Sequence, residues 1–294
     1  MLELRHFRYF VAVAEELHFG RAAQRLHMAQ PPLSQQIQAM EATLGVRLFE
    51  RTRRKVELSE AGRLLLDEAR ATLAQAARAE DVVRRAARGE LGRLEIGFTG
   101  SSPFTTAMPT LVGRFRRAWP EVRLSLREMP TSDQVLALIE GSIDIGFARP
   151  AEEIAIPGVR LRLIQRETLL VVCNEYHALA GSGRVGMAAL AGESFILHPR
   201  RIGTGLYDRV MALARAAGFV PRVEIEAHQM STMVSLAAIG LGIAIVPEAM
   251  RRVGVDGVAF LDLDDPLAHV DLFVAHRDGP PTRPVANFLE LVGE

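Results

Sequence analysis

The sequence predicts an α/β protein headed by a winged helix-turn-helix, followed by a long helix and a two-lobed α/β region. Three observations carry that reading. Two short helical patterns within residues 19–44 meet at a pair of prolines, Pro31 and Pro32. The segment from 59 to 88 is built almost wholly of Ala, Leu, Arg and Glu. From residue 93 onward, short β-like runs alternate with helical stretches.

In the first of these regions, Leu4, Phe7, Phe10, Val11 and Ala14 form one helical stripe. Ala22, Ala23 and Leu26 begin a second helix, about Arg21–Leu26, with Gly20 expected as its N-cap at small cost. His27–Gln30 is a tight connection. Proline is tolerated in the first turn of a helix, where no intrahelical N–H bond is required. Pro31 and Pro32 are therefore expected to start a third helix rather than break one. Leu33, Ile37, Met40 and Leu44, spaced by four, three and four, give it an apolar stripe, and Gly45 closes it. After it, "VRLFERTRRKVELSEAG" holds two short extended runs around a basic turn, the pattern of a hairpin wing.

Two helices joined by a turn of three or four residues can place the second in the DNA major groove, N-terminus first. The outward face of that helix carries Ser34, Gln35 and Gln38, with Gln30, Pro31 and Pro32 at its start. Glutamine can bond two edges of adenine, and serine can bond a base or a phosphate. Arg51, Arg53, Arg54 and Lys55 in the wing suit phosphates or the adjacent minor groove. A glutamine-rich face also fits a plain solvated surface, but the order of the motif and the basic wing beside it favour double-stranded DNA. The charge distribution agrees. Residues 19–58 hold seven Arg or Lys against three acids, in a chain whose net charge is zero.

Ser59 is the expected N-cap of the long helix, which runs from Gly62 to about Arg88 and ends at Gly89 and Gly92. Leu66, Ala69, Leu73, Ala76, Glu80, Val83 and Ala87 alternate spacings of three and four, a heptad seam for a partner helix. Glu80 interrupts that seam and implies a short helix pair. One amphipathic helix lying on its own domain is the other reading.

In the α/β region, "RLEIGFTG", "VRLSLREM" and "IDIGFARP" read as strands, separated by helices at Met108–Arg117 and Ser132–Glu140. Further strands are expected at 159–164, 168–173, 194–198, 222–227, 243–246, 258–261 and 270–275, in a mostly parallel sheet. The domain boundaries expected are 1–58, 59–89 and 90–294. The last splits into lobes at about 93–162 plus 268–294 and about 163–267. Ligands of such sheets sit at the carboxyl ends of strands. Three of those ends are small and polar: "TGSSPF" with Gly100, Ser101 and Ser102, "PTS" with Thr131, and Arg149. Hydroxyls and helix N-terminal N–H groups there would make an anion receptor. Plainer roles fit too: Ser132 and Asp133 as a helix cap, Arg149-Pro150 as a crossing between lobes, Gly203 and Gly205 as turn residues.

Several classes drop out. No run of 18 uncharged apolar residues suggests a membrane span, and MLELRHFRYF has no signal-peptide cleavage pattern, so a cytoplasmic protein is expected. The single cysteine, Cys173, excludes an internal disulfide framework and lies in an apolar run unsuited to a nucleophile. "GLGIAIVP" (240–247) precedes a strand and lacks the third glycine of a dinucleotide loop. No catalytic set appears, so the reading is not an enzyme, with no cofactor and no metal site.

The stretch "LRHFRYFVAVAEELHFGRAAQRLHMAQPPLSQQIQAMEATLGVRLFERTRRKVELSEAG" resembles the winged helix-turn-helix of LysR-type transcriptional regulators. Gly20 and Gln35 depart from residues common there: Ser or Thr, and Arg. The resemblance extends through the linker helix to a two-lobed effector domain like a type-2 periplasmic binding protein. It implies sequence-specific DNA binding modulated by a small molecule held between the lobes. The subgroup it looks most like regulates aromatic-compound catabolism, which implies a small or aromatic-pathway carboxylate. By resemblance the effector loops are those of Gly100, Ser101, Ser102, Thr131 and Arg149 on one lobe. The other lobe contributes "HPRRIGTG" with His198, Ile202 and Gly203, and "HQMST" with His228 and Gln229. The family also implies a homo-oligomer, a dimer of dimers, and RNA polymerase as a further partner. The competing expectation is a cytoplasmic solute-binding or sensor protein without direct DNA contact.

Overall fold

The computed structural model describes every residue except 52–54, 152–154, Gly203 and Glu294. Helices α1 (Leu4–Glu16), α2 (Phe19–Arg25) and α3 (Gln30–Leu44) close around Phe10, Val13, Ala22, Leu33, Ile37 and Met40. The stripe expected on α3 is the buried one except at its end, where Leu44 is exposed. Pro31 and Pro32 lie in the first turn of α3, where their missing N–H groups cost no helical bond. Gly45 ends α3 at φ 70, left-handed backbone that glycine adopts without strain.

One local expectation is corrected. The N-cap of α2 is His18, not Gly20. Its Nδ1 accepts the N–H groups of Gly20 (3.1 Å) and Arg21 (3.2 Å). Gly20 instead leaves room for that ring, since a Cβ there would stand 3.0 Å from His18.

Strands β1 (Phe49–Arg51) and β2 (Val56–Leu58) pair antiparallel as the wing, Phe49 opposite Leu58. Residues 52–54, with Arg53 and Arg54, lie outside the described residues. Glu41 of α3 fastens the hairpin. Its Oε1 accepts the N–H groups of Leu48 (2.8 Å) and Phe49 (3.1 Å), and its Oε2 accepts from Arg51 (3.2 Å).

Helix α4 (Glu60–Ala87) starts as expected: the Ser59 Oγ accepts the Gly62 N–H at 2.9 Å and donates to the Arg47 carbonyl at 2.7 Å. Gly62 is required by close approach, because a Cβ there would lie 2.1 Å from the Leu48 carbonyl oxygen. The first half of the seam packs on its own domain, with Ala69 buried and Leu65 and Leu66 against the head core. Glu80 and Val83 farther along are exposed. Arg70 adds an ion pair to Glu15 of α1 (2.8 Å). Residues Met1–Arg85 form one compact unit and Ala86–Glu294 a second.

The second unit is built on one ten-stranded sheet. Its first elements are β3 (Gly92–Phe98), α5 (Ala107–Ala118), β4 (Val122–Glu128), α6 (Thr131–Glu140) and β5 (Ile145–Ala148). Next come β6 (Val159–Asn174), β7 (Arg184–Val185), β8 (Ser194–Leu197), α7 (Thr204–Ala216), β9 (Arg222–Glu226) and α8 (Met230–Ala238). Strands β10 (Ile243–Pro247), β11 (Val258–Leu263) and β12 (His269–Arg277) and helix α9 (Arg283–Val292) complete it. The order is β4-β3-β5-β12-β6-β10-β8-β9, with β11 on β6 and β7 on β11.

The sheet is mixed rather than mostly parallel. Strands β3, β4 and β5 are parallel in one half and β8, β9 and β10 in the other, while β6 and β12 run antiparallel to their neighbours. The two strands expected at 159–164 and 168–173 are one. Gln165, Arg166 and Glu167 break the apolar pattern but not the backbone pairing, which continues along β12. Strand β6 pairs with β12 through Thr168 and with β10 and β11 from Leu169 and Leu170. The passage between halves lies there and at Ala268–His269. Arg149-Pro150 is therefore no crossing, since the chain after it returns to β6 in the same half.

Candidate DNA-reading face and effector cavity

The face of α3 opposite its buried stripe carries Gln30, Pro31, Pro32, Gln35 and Gln38, all exposed, with Ser34 half-buried. A 3.6-residue repeat puts Pro31, Gln35 and Gln38 on one line. No hydrogen bond to the rest of the unit holds Gln35 or Gln38 among the described residues, so both amides are available to a base edge. Arg51 is placed differently from the expectation of a phosphate contact. Its guanidinium pairs with Glu41 at 3.2 Å and stacks over the Phe19 ring at 4.6 Å from the centroid. Those two contacts tie the wing to α2 and α3. Neither Glu41 nor its role could be read from spacing, because its partners come from a hairpin seven to ten residues later.

In the second unit, the carboxyl ends of β3, β4, β5, β8 and β9 converge on a cavity of about 410 Å³. Gly100, Thr131, Arg149, His198, Ile202, His228 and Gln229 line it, seven of the ten residues expected there. Thr99, Glu128, Met129, Pro130, Leu206 and Met230 complete the wall. Helices α6, α7 and α8 all begin here, so their free N–H groups and positive dipole ends favour an anion. Gly203 lies outside the described residues.

Ser101 and Ser102 do not line the cavity; both are fully buried. The Ser101 Oγ accepts from Arg149 Nε at 3.1 Å, and the Ser102 Oγ bonds Thr99 Oγ1 at 2.8 Å. Their hydroxyls set the shape of the loop and hold Arg149. Gly205 lies in the first turn of α7 and not in the wall of this cavity. A Cβ there would meet the carbonyl oxygens of Arg149 (2.5 Å) and Pro150 (2.7 Å), so its absence lets the start of α7 lie against that backbone.

Arg149 is the charged centre of the wall, only 4 % exposed. Its main-chain N–H donates to Thr131 Oγ1 at 3.0 Å, its Nε to Ser101, and its Nη2 to the Glu167 carboxylate. Glu167 in turn accepts the Ala249 N–H at 3.1 Å. Burial pushes the Arg149 guanidinium below its usual range, and Glu167 opposes that shift. Arginine keeps its charge in proteins. The Nη1 group is buried without a hydrogen-bond partner among the described residues. An unmet buried donor on a charged group costs more than the ~1–3 kcal/mol of a neutral one.

His198 is also nearly enclosed, and its Nδ1 lies 3.1 Å from the Ala227 carbonyl oxygen. Burial holds the imidazole below its usual 6.5, with His228 pushing the same way and the Ala227 bond opposing.

The two units correspond to two known families. Residues 4–63 match the bacterial regulatory helix-turn-helix protein, lysR family, and residues 87–294 match the LysR substrate binding domain. The chain belongs to the LysR family of transcriptional regulators. The HTH-type transcriptional regulator YnfL of Escherichia coli (strain K12) is 40% identical over 287 residues, 96% of each chain. The crystal structure of CbnR, a LysR family transcriptional regulator, superposes with a TM-score of 0.86 at 32% identity, covering 99% of this chain and 100% of that one. Full-length CbnR complexed with its target DNA gives 0.85 at 31% identity, covering 99% of both. This LysR-type regulator therefore carries a DNA-binding head and an effector-binding unit, and the expectation of a regulator rather than an enzyme stands.

Proposed function

We propose that this LysR-type regulator reads its operator through the Gln30–Gln38 face of α3 and responds to a small carboxylate held in the cavity around Arg149. The observation that carries the effector reading is the buried guanidinium of Arg149 in the cavity wall, with Nη1 unpaired among the described residues, at the meeting of five strand ends and three helix N-termini. Met129, Pro130, Ile202, Leu206 and Met230 supply apolar wall for a carbon skeleton, which suits an acid from aromatic-compound catabolism. Ser34, Gln35 and Gln38 read bases, while Arg53, Arg54 and Lys55 of the wing contact phosphates. The regulator works in the cytoplasm as a dimer of dimers joined through α4 and the effector units, and it contacts RNA polymerase.

The expected mechanism is that effector binding shifts the relative positions of the two sheet halves and, through the oligomer, the DNA bend. Footprinting and bend-angle measurement on the cognate promoter, with and without saturating effector, test it. An unchanged footprint and bend would remove the mechanism. A salt titration tests direct DNA contact: phosphate binding must weaken steeply with salt, and a flat response would return the solute-sensor alternative. A thermal-shift screen of small carboxylates finds the effector, since a ligand of the folded state must raise its melting temperature.

A further inference from the structure

The anionic end of the ligand is specified by Arg149; the rest of the cavity specifies a second group. A carbonyl oxygen can only accept, so the 3.1 Å contact with Ala227 places the proton of His198 on Nδ1. A neutral ring then presents a bare lone pair at Nε2. That atom has no hydrogen-bond partner among the described residues. It is also not one of the two enclosed partnerless polar side-chain atoms, Gln134 Oε1 and Arg149 Nη1. It therefore opens onto the cavity that His198 lines.

A second acceptor stands at the rim. The Glu128 carboxylate lies over Gly100, its Oε1 2.8 Å from where a Cβ on that glycine would be. On the side of Arg149 the cavity offers donors: Thr131 and the free N–H groups at the start of α6. Thr131 Oγ1 already accepts from the Arg149 N–H, which leaves its own hydrogen to give. A dicarboxylate would set its second anionic group against two acceptors. A plain acid would leave Nε2 without a partner.

We propose that the cavity selects a hydroxy-substituted monocarboxylic acid, with its carboxylate on Arg149 and its hydroxyl donating to His198 Nε2. This rests on the effector reading above and narrows it to a ligand class. Sites that hydrogen-bond a ligand hydroxyl discriminate strongly against analogues lacking it, because the protein group is left unpaired.

The test uses the full-length protein and isothermal titration of matched acids differing by one hydroxyl. The pairs are lactate with propionate, 3-hydroxybutyrate with butyrate, and 3- or 4-hydroxybenzoate with benzoate, with succinate and cis,cis-muconate as dianions. The hydroxy member of at least one pair is expected to bind about tenfold or more tightly. In His198→Leu the ratio within that pair is expected to fall toward one. Equal binding within every pair, a ratio that survives His198→Leu, or tightest binding by a dianion would overturn the proposal. Nitrogen-15 NMR of the wild-type imidazole gives a check that needs no variant to fold: a proton on Nε2 at neutral pH would overturn it as well. If no acid binds wild-type protein at all, the effector reading itself falls and takes this inference with it.

Discussion

Arg149 shows how a single residue serves both the fold and the ligand. One face of its guanidinium is held by Ser101 and Glu167, and Nη1 has no hydrogen-bond partner among the described residues. Replacing it alone strands the Glu167 carboxylate in a site 3 % exposed. Arg149→Met is expected to destabilise the effector unit by about 3–5 kcal/mol, the usual result of breaking a buried ion pair. The double variant Arg149→Met/Glu167→Gln should recover much of that stability in denaturant titrations without recovering carboxylate binding. A double variant that binds as wild type would remove Arg149 from the site. On α3, Gln35→Ala should cost about 1–3 kcal/mol of discrimination between operator and mismatched sites. The salt slope of DNA binding should stay the same, since an amide on a base edge neutralises no phosphate; equal losses on all sequences would contradict a base contact. Residues of this kind were legible in the sequence where they ended a strand, as Thr131 and Arg149 do. Glu167 was not: it lies mid-strand, in a polar triplet that mimics a loop. Ser101 and Ser102 have the right chemistry for an anion, and only their burial shows that Arg149 and Thr99 already engage them.

At the scale of elements, the helix-turn-helix was legible because proline acts locally. Pro31 and Pro32 permit only a helix start, and the period of Leu33, Ile37 and Met40 fixes which side of α3 is buried. The cap of α2 was missed because a ring nitrogen two residues upstream, rather than a hydroxyl, accepts its first N–H groups. His18→Ala is therefore expected to destabilise the head by about 1 kcal/mol, and His18→Asp, a common capping residue, to restore it. Thermal unfolding of the two variants checks this; equal stability of His18→Ala and wild type would show the cap to be idle. The sequence divides β6 in two because an apolar period detects burial, while backbone pairing with β12 continues through polar residues. Helices α7 and α9 and the short β7 were passed over altogether.

At the scale of the whole molecule, the head core around Phe10, Leu33 and Phe49 is separate from the core clusters of the effector unit. Two unfolding transitions should appear in calorimetry, one for each compact unit. An effector at one hundred times its Kd adds about 2.7 kcal/mol to the unit that binds it, so only one transition should move on adding it. Acid should lower the effector-unit transition as well. His198 is held below its usual 6.5, so the unfolded chain takes up that proton first. The stability it contributes is full above 6.5 and declines as pH falls below that value. Glu15 is held below its usual 4.5 by Arg70 and Arg25, so its contribution to the head persists above 4.5 and is lost only as pH falls through its depressed value. Acidifying from pH 7 to pH 5 should therefore lower the effector-unit transition, and His198→Leu should shrink that fall. Addition of operator DNA identifies the transitions, because DNA stabilises the unit that binds it. A single transition that moves as a whole with effector, DNA and pH would mean that the two cores unfold as one cooperative body.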